Sequence, residues 1–434
     1  MKRKINNEII RLAIPNILSN ISVPLLSTVD TILMGSLSSI HLAAVGIGSF
    51  LFNVIYWNFG FLRMGTTGMT AQAFGAEDKE VVWTSLLRAA TLAVILAGIL
   101  VLFQSGIYSA GSSLLDVSAD NAPLVREYFN IRIWAAPAAL MLMVVMGWFF
   151  GVQNSIYPLI LTIVINVINI LLSYYLVKVQ QMDVRGVALG TVIAQYVGLA
   201  VGLVLIASKY KEYIRWALIS KLKQLSDYTQ FVKVNFDLFL RTLCLTFAFG
   251  FFYRQSSQLS DTVLAVNVVL MQFVNWMSYG IDGFAYATES LIGRFKGAEK
   301  PAELKLVIQQ SFLWAGLVSL LYAFVYYVFG VQLFALFSDD PSLLSLGEEL
   351  LYFMAIFPIV AFASYIWDGI YVGLTATTSM RNAMVMALIV YLISFYLLPV
   401  YDNGAHIWIA LSIFLVARAV FQQIYYHRDG LEMR

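Results

Sequence analysis

The amino-acid sequence predicts an all-α membrane protein with twelve transmembrane helices in two six-helix lobes. Three observations carry that expectation: a shortage of charge, a succession of long apolar runs, and a repeat relating the two halves of the chain. Of the 434 residues, 60% are hydrophobic and only 12% charged, with a mean hydropathy of +0.79. Soluble chains carry about 25% charged residues, so this sequence cannot cover the surface of one or two globular domains. The composition excludes a cytosolic enzyme, a disordered scaffold and a nucleic-acid binder, which would need a basic patch on a soluble domain. A single cysteine, Cys244, excludes a disulfide framework. His41, His406 and His427 lie too far apart to offer metal-ligand spacing, and no cofactor is expected.

A helix needs about 20 mostly apolar residues to cross the hydrocarbon layer. The first such run, 9–35, follows Lys2, Arg3 and Lys4. It is too long for a removable signal and lacks the small-residue cleavage site, so it stays as a helix, bent by Pro15 and Pro24. The second, 42–72, ends at FGAEDK, and the third, 84–107, gives way to an acidic or neutral loop at 109–123. The fourth is 123–150. The fifth, 156–177, contains VINVINILLSYY and the sixth, 186–208, RGVALGTVIAQ. A basic linker, 211–227, then separates an N-terminal lobe, 1–210, from a C-terminal lobe, 228–434. The seventh run, 228–253, holds VNFDLFLRTL; the eighth, 262–293, holds GIDGFAYATESL and ends in FKGAEK. The ninth, 305–335, and tenth, 345–374, flank a second acidic loop at 338–349, and 380–400 and 405–426 complete the set. Strand alternation is absent, which disposes of a transmembrane barrel.

Lysine and arginine set the orientation. With the N-terminus inside, the inner side collects Lys2, Arg3, Lys4, Arg11, Lys79 and Arg88, the linker cations, and Arg294, Lys296, Lys300, Lys305 and Arg381. The outer side receives Arg126, Arg132, Lys178, Arg185 and Arg254, and Arg63, Arg241 and Arg418 fall within helices. Both termini are expected in the cytoplasm, the chain lying in a bacterial inner membrane.

The FGAEDK and FKGAEK segments align at an offset of 222 residues, with Gly75-Ala76-Glu77 on Gly297-Ala298-Glu299. Without gaps the same offset pairs Leu37 with Leu259, Asn53 with Asn275 and Thr66 with Thr288. It also pairs Gly147 and Gly151 with Gly369 and Gly373, and Tyr174 with Tyr396. Two six-helix lobes in the same orientation follow, an arrangement found in secondary transporters that rock two halves around a central site.

An ionisable side chain at mid-bilayer costs about 2.5–3.5 kcal/mol on insertion scales and marks a functional candidate. Five acids qualify: Asp30, Asp237, Asp282, Glu289 and Asp368. Asp237 and Arg241, four apart on a helix, are expected to form an ion pair. Asp282 and Glu289, seven apart, share a face expected to look into a cavity, with Arg63 or Arg241 as available partners. Asp368, followed by Gly369, reads as a packing or gating residue. Asp30 has no arginine or lysine within one turn, and burial of an unpaired carboxylate favours its protonated form; a hydrogen bond to a neighbouring helix is the plainer alternative. Asn166, Asn169 and Thr191 serve either as interhelical hydrogen-bond links or as part of a site.

These residues carry a family likeness. The twelve spans, the proline-bent first helix with Asp30, the run FGFLRMGTTGMTAQAFGAEDK and the DGFAYATE segment resemble the multidrug and toxic compound extrusion transporters, in particular their DinF-type branch. The resemblance covers essentially the whole chain. It implies export of drugs, dyes and other amphipathic or cationic compounds in exchange for protons or sodium ions, with these compounds and the lipid bilayer as partners of a monomer. By position it implies that Asp30 is the coupling carboxylate, Pro15 the bending proline, and Tyr128, Asn169 and Thr191 members of the ion-coupling set. Many relatives carry a second aspartate four residues after the asparagine, where this chain has Ser173. Losing that charge favours proton coupling, because sodium prefers a cage of several oxygens with enough negative charge. A sodium site from Asp30, Asn169, Ser173 and Thr191 is the alternative. A rival function is a lipid-linked oligosaccharide or lipid flippase of related fold, which would need several cavity arginines where only Arg63, Arg241 and Arg418 are candidates. A membrane enzyme is disfavoured by the lack of a catalytic motif.

Overall fold

The computed structural model describes residues 1–35, 37–214 and 228–431, without the side chains of residues 23–32. Among the described residues there is no strand. Fifteen α-helices follow one another among the described residues. In the first half they are α1 (Lys2–Gly35), α2 (Ser39–Asn58), α3 (Phe61–Gly75), α4 (Lys79–Leu102), α5 (Gln104–Leu114), α6 (Ala122–Arg132), α7 (Ala136–Gly151), α8 (Ile156–Tyr174) and α9 (Asp183–Lys209). In the second half they are α10 (Tyr228–Leu259), α11 (Asp261–Gly297), α12 (Pro301–Ala335), α13 (Pro341–Gly373), α14 (Thr377–Leu397) and α15 (Ala405–Arg428).

Among the described residues, eleven helical stretches are long and apolar enough to cross a membrane, beginning with Ser39–Gly75 and ending with Ala405–Arg428. The first expected span falls on α1, 34 residues long, part of whose side chains lie outside the described residues. Two spans are interrupted. Phe59 and Gly60 separate α2 from α3, and a 3-10 turn at Ile133–Ala135, just ahead of Pro137, separates α6 from α7. The chain beyond the third span, expected as a loop, forms α5.

The repeat governs the architecture. Helix boundaries recur at the offset of 222: Ser39 and Gly75 match Asp261 and Gly297, Lys79 matches Pro301, Gly151 matches Gly373, and Asp183 matches Ala405. Local geometry recurs with them. Ser38 and Ser260 both take extended backbone and cap the next helix, accepting from the amides of His41 and Val263. Positive φ recurs at Glu77 and Glu299 (57° and 54°) and at Gln153 and Thr375 (64° and 52°). Close contacts of glycine with a neighbouring backbone recur as well. A Cβ on Gly147 would meet the carbonyl oxygen of Arg63 at 2.4 Å, and one on Gly369 would meet that of Ala285 at 2.4 Å. Positions 63 and 285 are themselves 222 apart. Only glycine admits so close an approach of backbone to helix, as small residues do generally in membrane interfaces.

The chain divides into two compact units, Leu18–Val232 in one and Met1–Ile17 with Lys233–Arg434 in the other. In the first, α3, α4 and α7 pack together and α8 pairs with α9; in the second, α11, α12 and α13 pack together and α14 pairs with α15. The lobe boundary read from sequence, 210 to 228, differs from this division at the N-terminus. The first 17 residues join the second unit because Glu8 pairs with Arg294 of α11, Asn6 accepts from Trp314 of α12, and Ile17 fills the space beside Gly283. Of the linker, residues 215–227 lie outside the described residues.

Candidate functional site

In the unit Leu18–Val232, α8 and α9 bring a small cluster of polar side chains together in apolar surroundings. Their close approach comes from glycine: a Cβ on Gly190 would lie 2.7 Å from the Ser173 hydroxyl oxygen and 3.0 Å from its backbone nitrogen. Asn169 and Ser173, four apart on α8, are fully buried, and Thr191 on α9 is nearly so. Asn169 Nδ2 donates to Thr191 Oγ1 at 2.8 Å, and that hydroxyl donates to the Val187 carbonyl at 2.9 Å. Two oxygens remain over: Asn169 Oδ1 and Ser173 Oγ have no hydrogen-bond partner among the described residues. Buried polar atoms are nearly always partnered, and these two oxygens, four residues apart on one helix, are able to accept from a group that supplies a proton or a positive charge.

Helix α1 runs beside α8. Ser19 Oγ and Thr162 Oγ1 share a hydrogen bond of 2.8 Å, and Asn166 Nδ2 donates to the Ser22 carbonyl at 3.0 Å. The Asp30 side chain lies outside the described residues, as does that of Pro24. Tyr128 stands on α6, 2% exposed. Its hydroxyl shares a 3.1 Å hydrogen bond with Ser49 of α2, and its ring lies against Gly48. Arg63 stands over the Phe150 ring at 5.8 Å, and Pro15 is a half-buried residue of α1.

The other unit holds its acids differently. Asp237 does not pair with Arg241, as the four-residue spacing predicted. It reaches across to α14, accepting from Arg381, from Thr378 at 2.7 Å and from Thr377 at 3.3 Å. Arg241 instead pairs with Asp368 of α13, which also accepts from Arg418 at 2.7 Å and Gln422 at 2.6 Å, both on α15. Asp368 is thus the centre of a buried network joining three helices. The local i,i+4 reading failed because α14 and α15 supply cations that a single helix cannot reveal. Arg418 and Gln422, four apart, carried the one signal that could have found them. Asp282 is half-buried and lies in the field of Arg418 and Tyr365, whose hydroxyl bonds Ser278 at 2.7 Å. Glu289, on the same helix, is 1% exposed. Among the described residues, no three His, Cys, Asp or Glu side chains gather as a metal site.

The two units therefore differ in chemistry although they share a fold. One offers uncharged buried oxygens; the other fixes its carboxylates at positions 237 and 368 with guanidinium groups. The MatE family model matches this chain twice, over residues 15–175 and 238–400, one match in each half of the repeat. Over 410 residues the chain is 34% identical to the DNA damage-inducible protein F of Escherichia coli K12, covering 94% of this chain and 89% of that one. It is 23% identical to a probable multidrug resistance protein NorM of Thermotoga maritima, over 80% of this chain and 75% of that one. A solved MATE structure in the bent conformation superposes with a TM-score of 0.89 over 98% of this chain and 96% of that one, at 19% identity. Family match, repeat and fold agree: the chain is a member of the multidrug and toxic compound extrusion family of membrane transporters, on the DinF side of it.

Proposed function

We propose that the chain is a secondary antiporter of the bacterial inner membrane that exports amphipathic or cationic organic compounds in exchange for protons. The observation that carries this reading is the pair of buried, unpartnered oxygens on Asn169 and Ser173. Register supports Asp30 as their counterpart. Ser22 on α1 stands at Asn166 on α8; eight residues further along α1 and seven further along α8, at about 1.5 Å each, bring position 30 level with Ser173. A protonated Asp30 carboxyl would donate to one of these acceptors. A carboxyl that finds acceptors when protonated has the property a proton carrier needs. Position 173 is serine, so α8 adds no second carboxylate beside Asn169 and Thr191, which disfavours a sodium cage.

In the cycle, a proton taken from outside neutralises Asp30, α1 bends, and the cavity loses affinity for its cargo. The units then exchange access, the proton leaves inward, and new cargo binds. Coupling requires proton and cargo to favour different states. The division of α1 supports bending near Pro15: the helix leaves one compact unit after Ile17 and enters the other at Leu18. The relatives' printed names, which include probable multidrug resistance proteins, support drug-like cargo. Arg241 and Arg418 are both engaged by Asp368, which withdraws two of the three arginines a flippase for anionic headgroups would use. Cytoplasmic termini, from the positive-inside asymmetry, and a monomer complete the proposal.

The test is ethidium efflux from bacterial cells lacking their own pumps. The wild-type chain lowers ethidium accumulation, and Asp30→Asn, expressed at equal level, does not. Export by Asp30→Asn at the wild-type rate overturns the reading.

A further inference from the structure

Three adjoining cavities form a forked cleft among the spans α12, α13 and α15. The stem, about 490 Å³, lies between Phe312 of α12, Ala363 and Trp367 of α13, and Val420 and Gln423 of α15. One arm, about 380 Å³, follows α13 and α15; it shares Val416 with the stem and reaches Phe353 and Ile409. The other, about 290 Å³, follows α12 and α13; it shares Phe312 and Ile359 with the stem and reaches Leu320. Both arms lead away from the side where α12 begins and α13 and α15 end, so they run side by side. From Gln423 to Ile409 is about 21 Å along α15, enough to cross the roughly 15 Å of hydrocarbon in one leaflet. Aromatic packing fixes the stem: the Trp367 ring lies 5.5 Å from that of Phe312 and 5.1 Å from that of Tyr426.

The walls say what fills it. Ile356, Ile359, Val416 and Val420 line it and are exposed, and all are apolar. An empty apolar cleft leaves its walls without dispersion contacts, and in a membrane the matter at hand is hydrocarbon chain. Two parallel arms meeting in one stem match two acyl chains joined at one glycerol. The stem also turns polar at one end. Gln423 is exposed there, and the α12 face that carries Phe312 continues to Gln309 and Lys305, three and seven residues earlier and both exposed. Residues at this spacing share a helix face. Lys305 lies four residues inside α12, near the level of lipid phosphate, where a lysine attracts anionic headgroups. The repeat supplies the comparison. The positions matching Lys305, Gly316, Ala363 and Gln423 are Trp83, Val94, Met141 and Val201, so the other half has bulk in place of space and no polar end.

We infer that this cleft is a binding site for one anionic phospholipid with two acyl chains. The chains occupy the two arms, the ester region meets Gln423, and the phosphate meets Lys305. The site goes beyond the exporter reading and does not depend on it, because lipid binding is measured without transport.

The full chain, stripped of lipid in detergent, is titrated with dioleoyl phosphatidylglycerol or dioleoyl phosphatidylcholine and followed by native mass spectrometry. Wild type takes up one phosphatidylglycerol about five-fold more tightly than phosphatidylcholine. Lys305→Gln removes that preference and Lys305→Arg keeps it. A Cβ on Gly316 lies 3.7 Å from the Phe362 ring, so Gly316→Leu extends into the arm without a backbone clash. It weakens both lipids by about five-fold or more and preserves the preference between them. Val94→Leu, at the matching position, leaves both within about two-fold. Lysophosphatidylglycerol, with one chain, binds about ten-fold or more weaker than the two-chain lipid. Equal affinity of wild type for the two headgroups overturns the proposal, as does an unchanged preference in Lys305→Gln. Unchanged lipid affinity in Gly316→Leu, or lysophosphatidylglycerol binding as tight as the two-chain lipid, overturns it too. Each of these results leaves the exporter reading standing, whereas loss of ethidium efflux by wild type strikes that reading and not the lipid site.

Discussion

The same side-chain chemistry takes opposite roles at different positions of this chain. Asp368 is held by two guanidinium groups and an amide in a buried network. Its replacement by asparagine leaves two cations without their shared counter-charge. Loss of one partner from a buried ion pair costs about 3–5 kcal/mol, so Asp368→Asn is expected to lower the thermal midpoint in detergent and the yield of folded protein. Ser173 is the converse case, a buried hydroxyl with no partner among the described residues. Ser173→Asp adds a second carboxylate beside Asn169 and Thr191, supplying the charge a sodium cage requires. Sodium chloride is expected to raise the thermal midpoint of Ser173→Asp relative to equimolar choline chloride, and to leave the wild type unchanged. Equal sodium stabilisation of both would place a sodium site in the unmodified cluster. The residue scale also marks where sequence reading stops. The buried acids were legible from their cost in a membrane, but their partners were not: Asp237 passes over Arg241 on its own helix for Arg381 on another.

At the scale of helices, glycine decides how near two elements come. The contacts of Gly147 with Arg63 and of Gly369 with Ala285 are matched to 2.4 Å, so the two sites should respond alike. Valine at either position forces helix against backbone, and overpacking of this kind costs about 1–3 kcal/mol or more. Gly147→Val and Gly369→Val are each expected to lower the thermal midpoint. Gly98→Ala, with nothing within 4 Å of its new methyl group, should stay within about 0.5 kcal/mol of wild type. A large fall in Gly98→Ala, or none in the other two, would contradict this account of the packing. The GxxxG pairs were legible because small residues four apart stand out in apolar helices. The breaks at Phe59 and Gly60 and at residues 133–135 were not, since neither interrupts the apolar run that defines a span. For the same reason α5 was missed: its residues 104–114 lack the length and hydrophobicity of a crossing helix.

At the scale of the whole molecule, one repeated fold carries two chemistries. Matching boundaries, caps and glycine contacts at a single offset reflect a duplicated scaffold, and the offset was readable from the GAE segments alone. The differences between the halves are sparse point changes that alignment of a repeat tends to hide. The position matching Asp237 is Pro15, that matching Asp368 is Met146, and that matching Arg418 is Tyr196. They leave one unit with acids fixed by arginine and the other with unpartnered oxygens along α8. The proposal places ion coupling in the unit Leu18–Val232 and gives the Asp368 network a structural part. The most direct test uses purified protein in sealed vesicles loaded with ethidium, with a proton gradient and a sodium gradient imposed separately. The account predicts ethidium movement under the proton gradient alone, abolished by Asp30→Asn, and none under the sodium gradient. Transport driven by sodium alone, or wild-type transport by Asp30→Asn under the proton gradient, would contradict it.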